Sequence, residues 1–257
     1  MALSTTFDTQ LSRVRLHGDG LTTGTTALFE RSLNQVRWTT VRGGSAVTIS
    51  VTDTADVDDY EFVPGVVNYY RVKDNTHTFT ANRTPSQSGT WFKSISRPFL
   101  NRPVTVVNHS DITRPAKNGI FEVVGRSFPV AVTDVRSSRR YTMTLKATTV
   151  SDADALELVF ESGDPLFIQT DGLNDIPNGY VVIGDMNRSR YGHVSNRRLF
   201  DLSMTEVAAP GPDIYGRTAS WETQVVEFAT WTDLLAAFAT WEDETDYVAS
   251  PSVVVVP

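Results

Sequence analysis

The 257-residue sequence contains no cysteine, and this absence excludes disulfide bonds and thiolate zinc sites as sources of stability. It also has no run of about 18 apolar residues, so no transmembrane helix and no membrane insertion are expected. The first 20 residues lack the apolar segment of a secretory signal peptide. These features suit either folding in a reducing cytoplasm or a fold that simply needs no disulfide bonds, around a core drawn from its 40% hydrophobic residues.

Positive charge is also scarce. The chain carries 23 Lys and Arg against 30 Asp and Glu, which gives a net charge of −7 at pH 7. Proteins that grip nucleic-acid phosphates usually show the opposite balance. Tight DNA binding is therefore not expected.

Motifs for catalysis are missing as well. The chain has no HExxH, no GxSxG and no phosphate-binding glycine loop, which leaves no recognisable catalytic signature. Its four histidines, at positions 17, 77, 109 and 193, do not have the spacing of metal ligands. We therefore expect neither enzymatic activity nor a cofactor or metal.

One acidic stretch is rich in carboxylates, the ligands that calcium prefers. It contains Asp53, Asp56, Asp58, Asp59 and Glu61. Their spacing does not follow the EF-hand pattern, so a solvated loop is favoured over a calcium site.

What the sequence does contain is threonine, valine and aromatic residues, interrupted by turn signals about every ten residues, which predicts a mainly β fold. Strands are expected around Trp38 and over 45–52, 69–72 and 77–81. Residues 1–28 form an N-terminal segment and residues 29–82 a first β module. Three prolines and a Ser/Gly cluster then predict a linker over 83–103, pinned by Trp91, Phe92 and Phe99.

The segment over 104–207 has the clearest pattern. In RRYTMTLKATT, apolar and polar residues alternate from Tyr141 to Thr148, as in a half-buried strand. A helix is expected over 151–162, with Ser151 as its N-cap, Asp154 completing a capping box, and Gly163 at its end. Further strands follow in LFIQ, GYVVIGDM and RRLFDLSMTEV, so this unit is predicted to be a β-sheet or barrel with one helix.

The C-terminal segment, 208–257, contains a repeat. Phe228-Ala229-Thr230-Trp231 recurs at 238–241, and Ser220-Trp221 is a looser copy. Ten residues of α-helix fall about 80° short of whole turns, so one long helix would not align the tryptophans. The Ser or Thr before each Trp, and Asp233 and Asp243 three residues after Thr230 and Thr240, instead predict an arm of short helical turns.

Such short helices are not stable alone and must pack on another surface. The arm packs either on its own domain or on a neighbouring subunit, and the final SVVVVP forms a strand on its own sheet or on a partner's. The candidate subunit-interface residues are Trp221, Phe228, Trp231, Phe238, Trp241, Val253, Val254 and Val255.

The arginines form two groups next to predicted turns. The first comprises Arg136, Arg139 and Arg140, and the second Arg188, Arg190, Arg197 and Arg198. The negative net charge favours salt bridges between subunits or solvated loops over contacts with DNA phosphates. We treat Arg136, Arg139, Arg140, Arg188 and Arg190 as candidate salt-bridge or channel charges.

Two parts of the sequence resemble known protein families. RWTTVRGG, followed by DYEFVPGVVNYYRV, resembles a shortened fibronectin type III or immunoglobulin-like sandwich, in which Trp38 would be the core tryptophan. The segment from FEVVGRSFPVAVTDV to DPLFIQ, with GYVVIGDM, TEVAAP and the repeated ATW, is similar to minor tail proteins of long-tailed phages that infect actinobacteria.

The second resemblance implies a tail-tube fold, a β-sandwich or split barrel flanked by one helix. It further implies a structural virion protein of the tail tip, made in the host cytoplasm. Its copies would form a ring of six or three around the DNA channel, contact adjacent tail proteins, and let DNA pass without tight binding. The alternative is a carbohydrate-binding adsorption module, with Trp91 or the repeat tryptophans stacking on host cell-wall glycans.

Overall fold

The structure, a computed structural model, describes residues 2–122, 124–125, 127–172, 175–210, 228 and 230–238. It is mainly β, as the sequence predicts. The strands are β1 (Ala2–Asp8), β2 (Arg13–Asp19), β3 (Thr26–Ser32), β4 (Thr39–Thr40), β5 (Val47–Thr48), β6 (Thr54–Asp59), β7 (Asn68–Lys73), β8 (Thr78–Arg83), β9 (Thr90–Ser94), β10 (Arg102–His109), β11 (Gly119–Phe121), β12 (Val130–Val132), β13 (Arg140–Ala147), β14 (Leu166–Gln169), β15 (Gly179–Arg190) and β16 (Arg198–Glu206). The helices are a 3-10 turn (Pro98–Leu100), α1 (Val150–Glu161) and α2 (Trp231–Ala237).

The first unit consists of two antiparallel sheets that share a core. One sheet has the order β1-β2-β6, and the other has the order β4-β3-β7-β8 with β5 also paired to β3. The side chains of Phe29, Phe62 and Tyr70 are each no more than 1% exposed in that core. Because β1 and β2 belong to this unit, residues 2–19 are part of the sandwich and not a separate leading segment.

Two local predictions in this unit are wrong. Trp38 is not in the core: it lies between β3 and β4, half-buried, with the guanidinium of Arg71 4.0 Å from its ring centroid. The strand expected over 45–52 is only two residues long, because Ser50 and the tight turn at Asp53 redirect the chain into β6. The strands expected near 69–72 and 77–81 are present as β7 and β8.

The second unit is a closed six-stranded barrel with the order β10-β13-β16-β15-β14-β9. The alternation predicted in β13 is confirmed, since Tyr141, Met143 and Leu145 are buried and the intervening Thr142 is exposed. Phe200 of β16 completes the interior. All strand pairs in the barrel are antiparallel.

The segment over 83–103 differs from the expected linker. It contains β9, whose five residues are all buried and which pairs with β10 on one side and β14 on the other. The prolines do not interrupt this strand: Pro85 precedes it, and Pro98 begins the 3-10 turn that follows it. The expected burial of Trp91, Phe92 and Phe99 is found, with each no more than 8% exposed.

Helix α1 packs on the barrel core through Ala153, Leu156 and Val159. The helix prediction is confirmed, but its N-cap is not Ser151. The hydroxyl of Thr149 accepts from the backbone N–H of Asp152, and the Asp152 carboxylate accepts from Thr149 in return, so the capping box lies two residues earlier than predicted. Gly163, expected to end the helix, has φ +66°, which a residue with a Cβ adopts only under strain.

Candidate functional site

A two-stranded arm projects from the barrel between β10 and β13. It comprises residues 110–122, 124–125 and 127–139, which we call the β-arm. Backbone hydrogen bonds continue the β10–β13 pairing outward through Thr113 and Arg140 and then from Ser137 to Pro115, and β11 and β12 form its outer part.

The β-arm carries apolar side chains that no part of the described chain covers. The exposed ones are Ile112 (37%), Ile120 (69%), Phe121 (59%), Val124 (103%), Phe128 (83%), Val130 (42%), Val132 (60%) and Val135 (76%). A two-stranded ribbon is at best marginally stable by itself in water. Exposed apolar side chains in such number are typical of surfaces that contact another molecule.

These residues are not among the interface candidates predicted from the sequence. The segment GIFEVVGRSFPVAVTDV is rich in apolar residues. Only three glycine or proline residues and a few charged residues interrupt them. Such a segment has the composition of buried strands, so sequence alone did not distinguish a core hairpin from an exposed one.

The first arginine group lies at the base of the β-arm. Arg139 forms a two-point ion pair with Glu206 of β16, with N–O distances of 2.7 and 2.5 Å. Hydrogen bonding from Arg139 lowers the pKa of the Glu206 carboxyl. Arg136 and Arg140 are exposed. The structure thus places one of these three arginines in an ion pair within the chain.

The second group lies on the β15–β16 hairpin. The guanidinium of Arg188 contacts the carboxylates of Asp154, at 2.8 Å, and Glu157, both on α1. These ion pairs tie the hairpin to the helix, and hydrogen bonding to Asp154 and Glu157 raises the pKa of Arg188. Arg190, two residues further along β15, is exposed.

The acidic stretch is not a solvated loop, and that prediction is wrong. It forms β6 and the turn after it, and three of its carboxylates have arginine partners. The ion pairs are Asp58 with Arg13, Asp59 with Arg31 at 2.8 Å, and Glu61 with Arg42 at 2.8 Å. Within the described residues, no group of three or more His, Cys, Asp or Glu side chains is arranged to hold a metal ion.

A buried lysine joins the two β units. The Lys93 ammonium donates to the carbonyl oxygens of Ser12, at 2.6 Å, and Tyr60, at 2.9 Å, and to the Gln169 side chain. Lys93 is 1% exposed and its Nζ lies 4.4 Å from the Phe62 ring centroid. Burial lowers the pKa of Lys93 well below the ordinary 10.5, although the charges of Asp59 and Glu61 oppose this shift.

Part of the C-terminal repeat is described. Thr230 caps α2 by a reciprocal bond with Asp233, and Trp231 is its first residue, as predicted for this copy. The rings of Phe228 and Phe238 contact edge to face at 5.4 Å, and Trp231 is 59% exposed. The remaining interface candidates, Trp221, Trp241, Val253, Val254 and Val255, lie outside the described residues.

Trp91, one of the candidate sugar-stacking side chains, is 7% exposed and its indole N–H donates to the Ser88 carbonyl. It has no open ring face for a glycan. None of the helices in the described part of the chain is long and apolar enough to cross a membrane.

Comparison with solved structures gives a weak structural likeness. No family model matches the chain, and no curated protein matches it. A chain from the tail of an empty GTA particle, obtained by helical refinement with C6 symmetry, is 11% identical, with a TM-score of 0.27. The alignment covers 41% of this chain and 80% of that chain. A score this low does not establish a shared fold.

Proposed function

We propose that this protein is a structural, non-enzymatic subunit of a phage tail tip. In this proposal its copies form a ring around the DNA channel and join the tail tube to the distal tip. The resemblance of its central segment to minor tail proteins supports a place in a phage tail. The observation that carries an assembly role is the exposed apolar β-arm.

The β-arm supports assembly because its side chains are costly to leave in water. Burying one large apolar side chain contributes about 1.5–3 kcal/mol, and Phe121 and Phe128 are both more than half exposed. The outer edges of β11 and β12 pair with no other described strand. Open edges and exposed apolar faces together favour a subunit that is completed by neighbouring protein.

The closed barrel supports a scaffold role. Its strands form a ring without free edges, so it holds the β-arm on a rigid base through β10 and β13. The acidic net charge agrees with a channel wall that lets DNA slide, because phosphate contacts with basic side chains dominate DNA affinity.

The test is incorporation into virions. Cells that produce particles lacking this chain are supplied with the wild type, with F121S/F128S, or with the control V36S/V51S. The control changes two side chains that are 81% and 93% exposed but lie in the first unit. We expect the β-arm variant to be absent from purified particles and the control to be incorporated. Normal incorporation of F121S/F128S would contradict the assembly role.

A second measurement locates the protein. Gold-labelled antibody against this chain, viewed on intact particles, is expected to mark the tail tip only. Label elsewhere on the particle, or no label with an accessible epitope, contradicts the tail-tip role. Saturable binding of the purified chain to host cell wall would favour the adsorption-module alternative, which predicts that loss of the exposed Trp231 side chain weakens that binding.

A further inference from the structure

The end of the β15–β16 hairpin concentrates positive charge without compensation. Arg190 and Arg198 are direct cross-strand partners in the antiparallel register. Like charges placed opposite each other destabilise a strand pair. Arg197 lies beside them and stacks on Tyr191, with its guanidinium carbon 5.9 Å from the ring centroid. We call residues 190–198 the basic tip.

No acidic side chain in the described part of the chain neutralises the basic tip. Arg188, two residues earlier, forms ion pairs with α1, whereas Arg190, Arg197 and Arg198 form none with described residues. Among the described residues, the guanidinium of Arg198 donates only to the backbone carbonyls of Ser195 and Arg197. Hydrogen bonds from Tyr191 to Arg197 and from Ser195 to Gly192 hold the tip in a defined shape.

The opposite imbalance occurs at the end of α1. Glu161 is the last residue of this helix, is exposed, and forms no ion pair with described residues. A carboxylate at a helix C-terminus faces the negative end of the helix dipole, which is unfavourable. The last turn contains no basic residue to offset it, and Asp164 adds another acid just beyond.

We propose that the basic tip of one copy docks on the Glu161 end of α1 in a second copy. Each feature is electrostatically unfavourable alone, and the two are complementary in charge. Arg188 shows the same chemistry within one chain, since it binds two carboxylates of α1. This contact is separate from the β-arm and assigns a second surface to the self-assembly on which the proposed function relies.

A second copy is favoured over nucleic acid as the partner. The chain carries a net charge of −7, so a DNA duplex is repelled by most of the molecule. A further copy, in contrast, always brings an acidic α1 with it. Locally unfavourable charge arrangements of this kind are expected at surfaces that bind a partner.

The experiment measures self-association of the full chain by analytical ultracentrifugation at low and at high salt. R190E/R198E is expected to raise the dissociation constant about tenfold at low salt, and the difference should shrink as salt screens the charges. The matched control R37E/R83E has the same net charge of −11, since it also replaces two exposed arginines by glutamates. It should associate more tightly than R190E/R198E.

E161R separates specific pairing from general repulsion. It brings the net charge from −7 to −5, so general repulsion predicts tighter association, whereas the proposal predicts weaker association. The combined variant R190E/R198E/E161R should recover most of the lost affinity. Circular dichroism and the unfolding midpoint of each variant establish that it is folded.

Each other result overturns the proposal. If the wild type stays monomeric at all salt concentrations, the proposed contact does not form. The same conclusion follows if none of the charge-reversal variants changes the association. Weakening by each reversal without recovery in the combined variant means that the two sites do not face each other. DNA-duplex binding that R190E/R198E abolishes would instead assign the basic tip to nucleic acid. None of these results affects the β-arm test, which is read in virions, so the two proposals fail separately.

Discussion

At the scale of single residues, Lys93 is a buried donor that hydrogen-bonds three acceptors. Its replacement in K93M leaves the carbonyl oxygens of Ser12 and Tyr60 and the Gln169 side chain without this donor. A buried acceptor that loses its donor costs about 1–3 kcal/mol of stability, and rearrangement of the surrounding residues reduces this cost. We expect K93M to lower the free energy of unfolding by about 2–4 kcal/mol, measured by urea denaturation.

Lys146 provides the matched control for K93M. It lies on the neighbouring part of the barrel in β13 but is only partly buried. K146M is expected to change the free energy of unfolding by no more than about 0.5 kcal/mol. Equal effects of the two substitutions would show that the buried hydrogen bonds of Lys93 do not stabilise the fold.

The low pKa of Lys93 also predicts a pH dependence. Because burial lowers the folded pKa below the unfolded value of 10.5, the unfolded chain binds more protons between the two pKa values. The stability that the wild type holds over K93M is therefore largest above pH 10.5 and falls as pH decreases through the folded pKa. Denaturation of both proteins across the alkaline range measures this difference, and a difference that is constant with pH contradicts it.

The acidic stretch illustrates what single residues do not reveal in sequence. The sequence shows the carboxylates and a spacing that does not follow the EF-hand pattern. Asp58, however, is paired with Arg13, 45 residues earlier, and Asp59 with Arg31, 28 residues earlier. A solvated loop was predicted because these partners come together only in the folded unit, where β2 pairs with β6 and β3 lies in the second sheet around the same core.

At the scale of elements, the N-cap of α1 gives a direct test. T149A removes the hydroxyl that accepts from the backbone N–H of Asp152. Loss of a cap of this kind costs about 0.5–2 kcal/mol. We expect a lower thermal midpoint for T149A and almost no change for S151A, the residue that the sequence favoured as the cap. The reverse order would show that the helix begins two residues later than the structure has it.

Three strands explain how far the elements were predictable. β13 has one buried and one exposed face, so its alternation identified it directly. β9 is buried on both faces and therefore shows no alternation, and the prolines around it resemble those of a linker. β11 is apolar but exposed, the opposite of what its composition indicates. Pattern reveals a strand only when one side of it is buried and the other is not.

The same limit applies to the candidate site. The capped turn at Thr230 was predictable because a capping box is encoded within four residues. The role of the β-arm was not, because exposure depends on what the rest of the chain leaves uncovered. Likewise, the opposition of Arg190 and Arg198 appears only once the register of β15 and β16 is fixed.

At the scale of the whole molecule, the joint between the two units predicts cooperative unfolding. Gln169 donates to the Phe62 carbonyl and accepts from Lys93, and its own carbonyl accepts from Gln87, so both units share one buried network. Leu11, from the loop before β2, also packs in the barrel core. We expect a single calorimetric transition whose calorimetric and van't Hoff enthalpies agree.

Q169L tests whether this network is the cause. It removes one side chain from the joint without touching either sheet of the first unit. We expect the single transition to shift to lower temperature and to broaden or split, since each unit keeps its own core while the link between them weakens. Two resolved transitions in the wild type would contradict the coupling itself.

The position of β9 has a consequence for how the chain is made. Its partners in the closed barrel are β10, which follows within a few residues, and β14, which leaves the ribosome about 70 residues after β9. Until then one edge of β9 is open and its aromatic side chains are exposed. Pairing of β9 with β14 closes the barrel and requires the long intervening segment to be ordered first. This pairing is therefore a slow step of folding. A nascent chain that stalls between β10 and β14 is thus the species most prone to aggregate, and the one that a chaperone would most need to shield.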